Sequence, residues 1–160
     1  MLKKENEDKT TEETIEGFEI LSEKHTKLNK KEFFNILKKE SNGLILTIDR
    51  VGKTFKSKWA NDDGTISSGC FIDYTFIKNS ENYEVGISYN LGVPLAEETF
   101  KLTSGMNIFK ILAITIDIAK AEEIKVTKQF IEDSLTGVKF IAEIDSGHNG
   151  FIIKPTKKLQ

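Results

Sequence analysis

The tightest constraint on the fold is a two-residue alternation that recurs along the chain. In residues 70–77, CFIDYTFI, one face carries Cys70, Ile72, Tyr74 and Phe76, and the other Phe71, Asp73, Thr75 and Ile77. In residues 83–90, Tyr83, Val85, Ile87 and Tyr89 oppose Glu84, Gly86, Ser88 and Asn90. Residues 44–49 repeat the pattern, with Leu44, Leu46 and Ile48 against Thr47 and Asp49. Side chains that change sides at every residue describe strands, because a helix would scatter them around its circumference. The turn-forming run Lys78-Asn79-Ser80-Glu81-Asn82 joins two of these strands, and a loop at 60–69 with the hairpin signal Asp63-Gly64 precedes them. A meander of this kind folds as an antiparallel sheet.

The strand that starts at Leu44 changes character at Gly52. A glycine inside a strand pattern marks a bulge or a bend. Beyond it, Lys53, Phe55, Ser57 and Trp59 fall on one side, with Lys56 and Lys58 opposite. The expectation is one long bent strand that leaves the core and becomes a charged, aromatic surface.

Asn29 to Glu40 reads as a helix. Asn29 caps it, and Glu32 completes a capping-box pair. Phe33, Phe34, Ile36 and Leu37 form an apolar stripe, while Lys30, Lys31, Lys38 and Lys39 face out. Ser41-Asn42-Gly43 ends it and delivers the chain into the strand at Leu44. After the meander, residues 91–98 are irregular around Gly92 and Pro94, and 99–102 form a short extended piece. Thr103 or Ser104 caps a helix running to about Ile114, with Met106, Phe109, Leu112 and Ala113 inward. Residues 117–125 read as a polar connector. Thr127 opens a short helical turn, KQFIEDSL, ended by Gly137. A strand at 138–144, a turn at 145–150 and a last strand at 151–154 complete the order. This predicts an α+β chain, mainly β: an OB-like five-stranded antiparallel barrel with an N-terminal helix and one or two helices before the final hairpin. The alternative is a two-layer sheet with helices over one face. Residues 1–28 read as an acidic N-terminal arm, partly disordered, 29–154 as the binding domain and 155–160 as a basic tail.

With 160 residues the chain is long enough for one domain with its own core. No apolar run approaches the roughly 20 residues of a membrane-spanning helix, and the start lacks the pattern of a signal peptide. The single cysteine, Cys70, has no internal disulfide partner, which suits a cytoplasmic setting. His25 and His148 lie in no metal-ligand spacing and read as surface histidines, and no glycine-rich phosphate loop occurs. Asp73, Asp117, Glu122, Glu123, Glu132, Asp133, Glu143 and Asp145 would have to converge to hold a nuclease metal; scattered acids are more often solvated. The expectation is a chain that is not an enzyme and uses no metal or cofactor.

The net charge of -2 hides an asymmetry. Up to Glu23, eight acids oppose three lysines, whereas from Lys24 to Lys58 ten basic residues oppose three acids. Single-stranded nucleic acid presents phosphates that lysines bind by counterion release and unstacked bases that aromatic faces hold. Phe55 and Trp59, interleaved with Lys53, Lys56 and Lys58, supply both kinds of group, and Arg50 precedes them. Tyr74 and Tyr89, with Tyr83, would extend the platform on neighbouring strands, and Lys78 would add a phosphate contact. Alternation does not reveal which face is wet, so Phe55, Tyr83 and Tyr89 fit a core as well as they fit a stacking surface.

Two segments resemble the small single-stranded-DNA-binding proteins of phages and conjugative plasmids. GLILTIDRVGKTFKSKW followed by CFIDYTFI is similar to the first bent strands of their OB barrel. GMNIFKIL with VTKQFIEDSLTGVKFIAEI is similar to the closing half. The resemblance spans residues 43–154 and implies a binder of single-stranded DNA, with RNA as the alternative, that coats strands in replication, recombination or transfer. One departure is the end, KPTKKLQ, where housekeeping relatives carry an acidic, apolar-tipped tail. Residues 1–28 would then dock on a second copy or screen the basic groove. The competing reading is a protein-interaction module, or an inhibitor from a mobile element that docks on a host protein, with Tyr and Trp as interface anchors.

Overall fold

The computed structural model describes residues 14–15, 18–19, 25–147 and 150–159. In chain order the strands are β1 (Thr14–Ile15), β2 (Phe18–Glu19), β3 (Thr26–Leu28), β4 (Leu44–Val51), β5 (Phe55–Lys56), β6 (Ser68–Lys78), β7 (Glu81–Gly92), β8 (Thr99–Thr103), β9 (Glu123–Thr127), β10 (Lys139–Gly147) and β11 (Gly150–Leu159). The helices are α1 (Lys30–Lys38), α2 (Asn107–Leu112) and α3 (Lys128–Leu135). The chain is α+β and mainly β.

Seven strands form the main sheet, in the order β11-β10-β4-β6-β7-β3, with β5 pairing the start of β6. All pairs are antiparallel except β3 with β7. The path runs open from β11 to β3 and does not close on itself, which differs from the five-stranded barrel expected from sequence. β8 and β9 make a separate two-stranded sheet, and β1 and β2 another.

One face of the main sheet is dry. Leu44, Leu46 and Ile48 of β4, Ile72, Tyr74 and Phe76 of β6, and Val85, Ile87, Tyr89 and Leu91 of β7 are buried in one cluster. The three helices and the β8–β9 pair complete that cluster through Phe33, Leu37, Phe100, Leu102, Ile111 and Ile131. The opposite face leaves Ile45, Phe71 and Ile77 exposed beside Asp73, Glu84 and Ser88. An antiparallel sheet tolerates this, since its backbone is paired in plane and only one face needs an apolar cover.

Helix α1 forms where the capping box predicts. The Asn29 side chain accepts from the Glu32 amide at 2.8 Å, and Glu32 Oε1 accepts from the Asn29 amide at 2.8 Å. Phe33 then packs on Phe76, with ring centroids 5.7 Å apart. The return into β4 depends on Gly43, which has φ +78° and where a Cβ would lie 2.5 Å from the Ala142 carbonyl oxygen. No residue with a side chain fits that approach.

Several elements depart from the sequence expectation. The register of β4 on β6 shifts between Ile48 and Arg50, so Asp49 is the bulged residue rather than Gly52. The strand stops at Val51, and pairing resumes only at Phe55. Helix α2 starts at Asn107 after Met106, without a side-chain cap from Thr103 or Ser104. Residues 123–125, read as the end of a polar connector, belong to strand β9, paired along β8 up to Thr127, which also caps α3. The expected basic tail is not a tail. β11 continues to Leu159, with Pro155 opposite Ala142 at a register shift that spares the missing amide. Thr26–Leu28, assigned to the arm, pairs with Thr26↔Tyr83 and Leu28↔Val85 as β3. Residues 1–13, 16–17 and 20–24 of that arm lie outside the described residues, as does His148.

Cys70 is fully buried, and burial pushes its thiol from 9.0 up to about 11, against the Lys128 ammonium that favours the thiolate. Tyr74 and Tyr89 are raised by burial in the same way. These groups stay neutral in the native chain at pH values where the unfolded chain has begun to ionise them. Stability is therefore full below about pH 9 and falls as pH rises towards 11. Urea melts should show that decline, and Cys70→Ala should make it shallower by up to about 2–3 kcal/mol at the alkaline end. A decline of unchanged slope would contradict the assignment.

Candidate nucleic-acid interface

The site grows from the place where β4 gives out. The Gly52 amide donates to the Phe71 carbonyl at 2.7 Å, the last tie before the chain lifts away. Lys53 and Thr54 are unpaired in the sheet, and β5 then lands with Phe55 opposite Gly69. Gly69 has no side chain, so the Phe55 ring lies over it; a Cβ there would meet Phe55 Cζ at 2.9 Å. From that seat Phe55 reaches Phe71, with centroids 5.4 Å apart and planes 38° apart. Both rings keep an open side, at 40% and 47% exposure.

Beyond β5 the chain continues as an irregular hairpin. The Ser57 amide donates to the Ser67 carbonyl at 2.8 Å and the Asn61 amide to Thr65 at 2.7 Å. At the tip, Asp63 Oδ1 accepts from the Thr65 amide at 3.0 Å, and the Thr65 hydroxyl and amide together hold the Asp63 carboxyl below its ordinary range. Gly64 closes the turn with φ +87°. The Asp63-Gly64 turn signal thus operates as a loop tip. On the near arm stands Trp59, 80% exposed.

Phe55, Trp59, Phe71, Lys56, Ser88 and Asn90 border an open groove of about 560 Å3. Lys56 and Lys58 line it and Lys53 is exposed just before β5, and none of the three forms an ion pair among the described residues. On the far side of β5 a second cleft, of about 600 Å3, is lined by Pro94, Glu97 and Glu98 as well as Lys56. Those carboxylates disfavour a phosphate there, so a polyanion is steered to the Phe71 side.

Of the residues predicted for the site, the structure brings Phe55, Lys56, Lys58 and Trp59 together on one groove, while Lys53 is exposed before β5 and does not line it. Arg50 is nearby on the open face, but its Nε donates to Asp73 Oδ2 at 3.1 Å, so it is a paired rather than a free cation. Three predictions are corrected. Tyr74 is fully buried on the dry face, packed edge-on against Phe140 at 5.9 Å. Tyr89 borders the groove, yet its side chain is 6% exposed and its hydroxyl meets that of Tyr74 at 2.6 Å. Neither ring is offered to a base. Lys78 is ion-paired with Glu40, at the far end of β6 from Gly69, roughly 30 Å away at the usual rise per residue. Tyr83 stacks on Phe76 at 5.2 Å on the core side.

Phe71 is the residue that sequence reasoning missed. It shares its face with Asp73 and Thr75, whereas Tyr74 shares its face with Cys70, Ile72 and Phe76. The polar company of Phe71 was the available signal for the wet side. The eight acids considered for a nuclease do not converge: among the described residues no group of three or more His, Cys, Asp or Glu could hold a metal ion. His25 is half-buried, with Nδ1 3.3 Å from Glu84 Oε1. No described helix is long and apolar enough to cross a membrane. No protein-family model, no curated protein and no solved structure matches the chain.

The seat of Phe55 is testable. In Gly69→Ala the new methyl would press on the ring and lie 3.0 Å from the Tyr89 carbonyl oxygen, for a cost of about 1–3 kcal/mol. Phe55→Ala in the same chain removes one of the two clashes, so urea melts of the double mutant should show partial recovery. Strictly additive losses would mean the ring does not rest there.

Proposed function

We propose that the chain is a non-enzymatic binder of single-stranded DNA, largely indifferent to sequence, that coats or protects strands. The observation that carries this reading is the Phe55–Phe71 pair and Trp59, all exposed, on a groove lined by Lys56 and Lys58, with Lys53 exposed just before β5. Stacking on such rings is worth about 1–3 kcal/mol per base and is tolerant of sequence. The lysines add the counterion-release term that any strand supplies. The reading keeps the sequence likeness of residues 43–154 to small single-stranded-DNA-binding proteins of phages and conjugative plasmids. It carries replication, recombination or conjugative transfer as the setting, the cytoplasm as the location, and RNA as the alternative ligand. It also carries self-association through residues 1–28.

A second reading, a protein-docking module, is favoured by one feature. Ile45 and Ile77 are exposed on the same open face and line one cleft with His25 and Lys139. An apolar pair of this sort suits a protein partner better than a polyanion.

Fluorescence-polarisation titration with labelled oligothymidylate separates the two. Binding should weaken steeply with salt, and Lys56→Ala with Lys58→Ala should lower the slope of log K against log salt by about 1–1.5. Trp59→Ala should weaken binding at every salt concentration, by about 1–3 kcal/mol. Absence of binding would leave the docking module as the standing reading.

A further inference from the structure

We infer that the open face selects guanine at one position, through the Arg50–Asp73 pair. The inference rests on the single-strand reading and adds one base-selective position to a track that otherwise tolerates any sequence. A pit of about 320 Å3 adjoins the aromatic groove and shares Phe71 with it. Its other walls include Lys27, Arg50, Asp73, Glu84 and Gly86.

Gly86 stands directly opposite Asp73 across the β6–β7 pair. A Cβ at that position would lie 3.0 Å from Asp73 Oδ1 and 3.7 Å from Phe71 Cδ1. A side chain would therefore fill the space beside the ring, and glycine leaves it open. A base stacked on Phe71 would project its edge into this space, where Asp73 is.

The chemistry of the wall favours one edge. Asp73 Oδ2 accepts from Arg50 Nε at 3.1 Å, while Asp73 Oδ1 and the Arg50 terminal amino groups have no partner among the described residues. The Asp73 side chain is the less exposed of the pair, 31% against 71%, and is held by a strand paired on both edges. Glu84 adds a second carboxylate. The two carboxylates of the wall are acceptors that attract N–H groups, while Lys27 and Arg50 balance their charge. In an unpaired strand the Watson–Crick edge is free. Guanine is the DNA base whose edge carries two adjacent donors, N1–H and the N2 amino group, with O6 beside them for the exposed terminal amino groups of Arg50. As a plain cross-strand ion pair at this exposure, Arg50–Asp73 would add little stability, and it would need neither the bare Gly86 nor the ring.

The test is fluorescence polarisation on the full chain, with oligothymidylate carrying isolated guanines, and the same strands carrying inosine, adenine or cytosine instead. Guanine should tighten binding by about tenfold over thymine, and inosine, which lacks the N2 amino group, should lose most of that gain. Asp73→Asn should erase the difference between guanine and inosine strands. Equal affinity for all strands, an equal gain from adenine or cytosine, or a guanine preference that survives Asp73→Asn would overturn the inference. If that variant does not fold, the inosine comparison on the parent chain decides. Failure of every strand to bind would instead overturn the single-strand reading, and this inference with it.

Discussion

Strand β6 is hydrogen-bonded along both edges, to β4 and β5 on one side and to β7 on the other. A strand held in this way cannot turn about its axis, so its two faces are assigned for all eleven residues at once. The even-numbered residues from Cys70 to Phe76 go to the core, and the odd-numbered ones from Gly69 to Ile77 go to the open face. The seat of Phe55, the exposure of Phe71 and the position of Asp73 all follow from this assignment. The helices enforce it from one side only, because their apolar stripes cover the even face and nothing comparable covers the odd one among the described residues.

The basic segment of the sequence is divided by the fold. Lys30, Lys31 and Lys38 ride on α1, with Lys39 capping its end, and α1 packs on the dry side of the sheet. Lys38 lies over the Phe151 ring at 5.2 Å, and Lys78 is matched with Glu40. A charge run in sequence is therefore not a charge patch in space. Lys56 and Lys58 stay together on one groove, because β5 and its hairpin carry them as one unit on the edge of β6. The local density of cations there matters more to a polyanion than the small net charge of the whole chain.

What could be read from the sequence was the pattern with a single cause. The alternation of Leu44 to Ile48, Cys70 to Ile77 and Tyr83 to Asn90 placed three strands and their partition into faces, and Asn29 with Glu32 placed α1. The pattern failed where tertiary pairing decides. Glu123–Thr127 is polar and short, and becomes a strand only because β8 offers it an edge. Thr26–Leu28 is a strand for the same reason beside β7. The closure of a barrel depends on pairing between distant edges, which no local periodicity encodes. The site was half legible. The basic–aromatic run picked out Phe55 and Trp59, which are exposed on the groove, but aromatic residues on neighbouring strands had to be sorted by face, and the tyrosines were chosen where the phenylalanine is the ring that faces the groove. Tyr74 and Tyr89 carry hydroxyls and so read as surface residues, yet each satisfies the other at 2.6 Å inside the core.

That buried pair has a consequence for the groove. Tyr74 and Tyr89 belong to β6 and β7, and their hydroxyls meet only in the register that sets Phe71 opposite Ser88 and Asp73 opposite Gly86. A slip of β7 by one residue would turn its whole apolar row to solvent and bring Ser88 and Asn90 into the core. Apolar burial alone opposes such a slip, but it would also carry the Tyr89 hydroxyl to solvent and leave that of Tyr74 without its partner in a dry interior, at about 1–3 kcal/mol. The small residues Gly86 and Ser88 lie under the open face because the tyrosines lock the register from beneath it. The core polar contact and the wet aromatic surface are thus two sides of one alignment, and the geometry of the second is only as well defined as the first makes it.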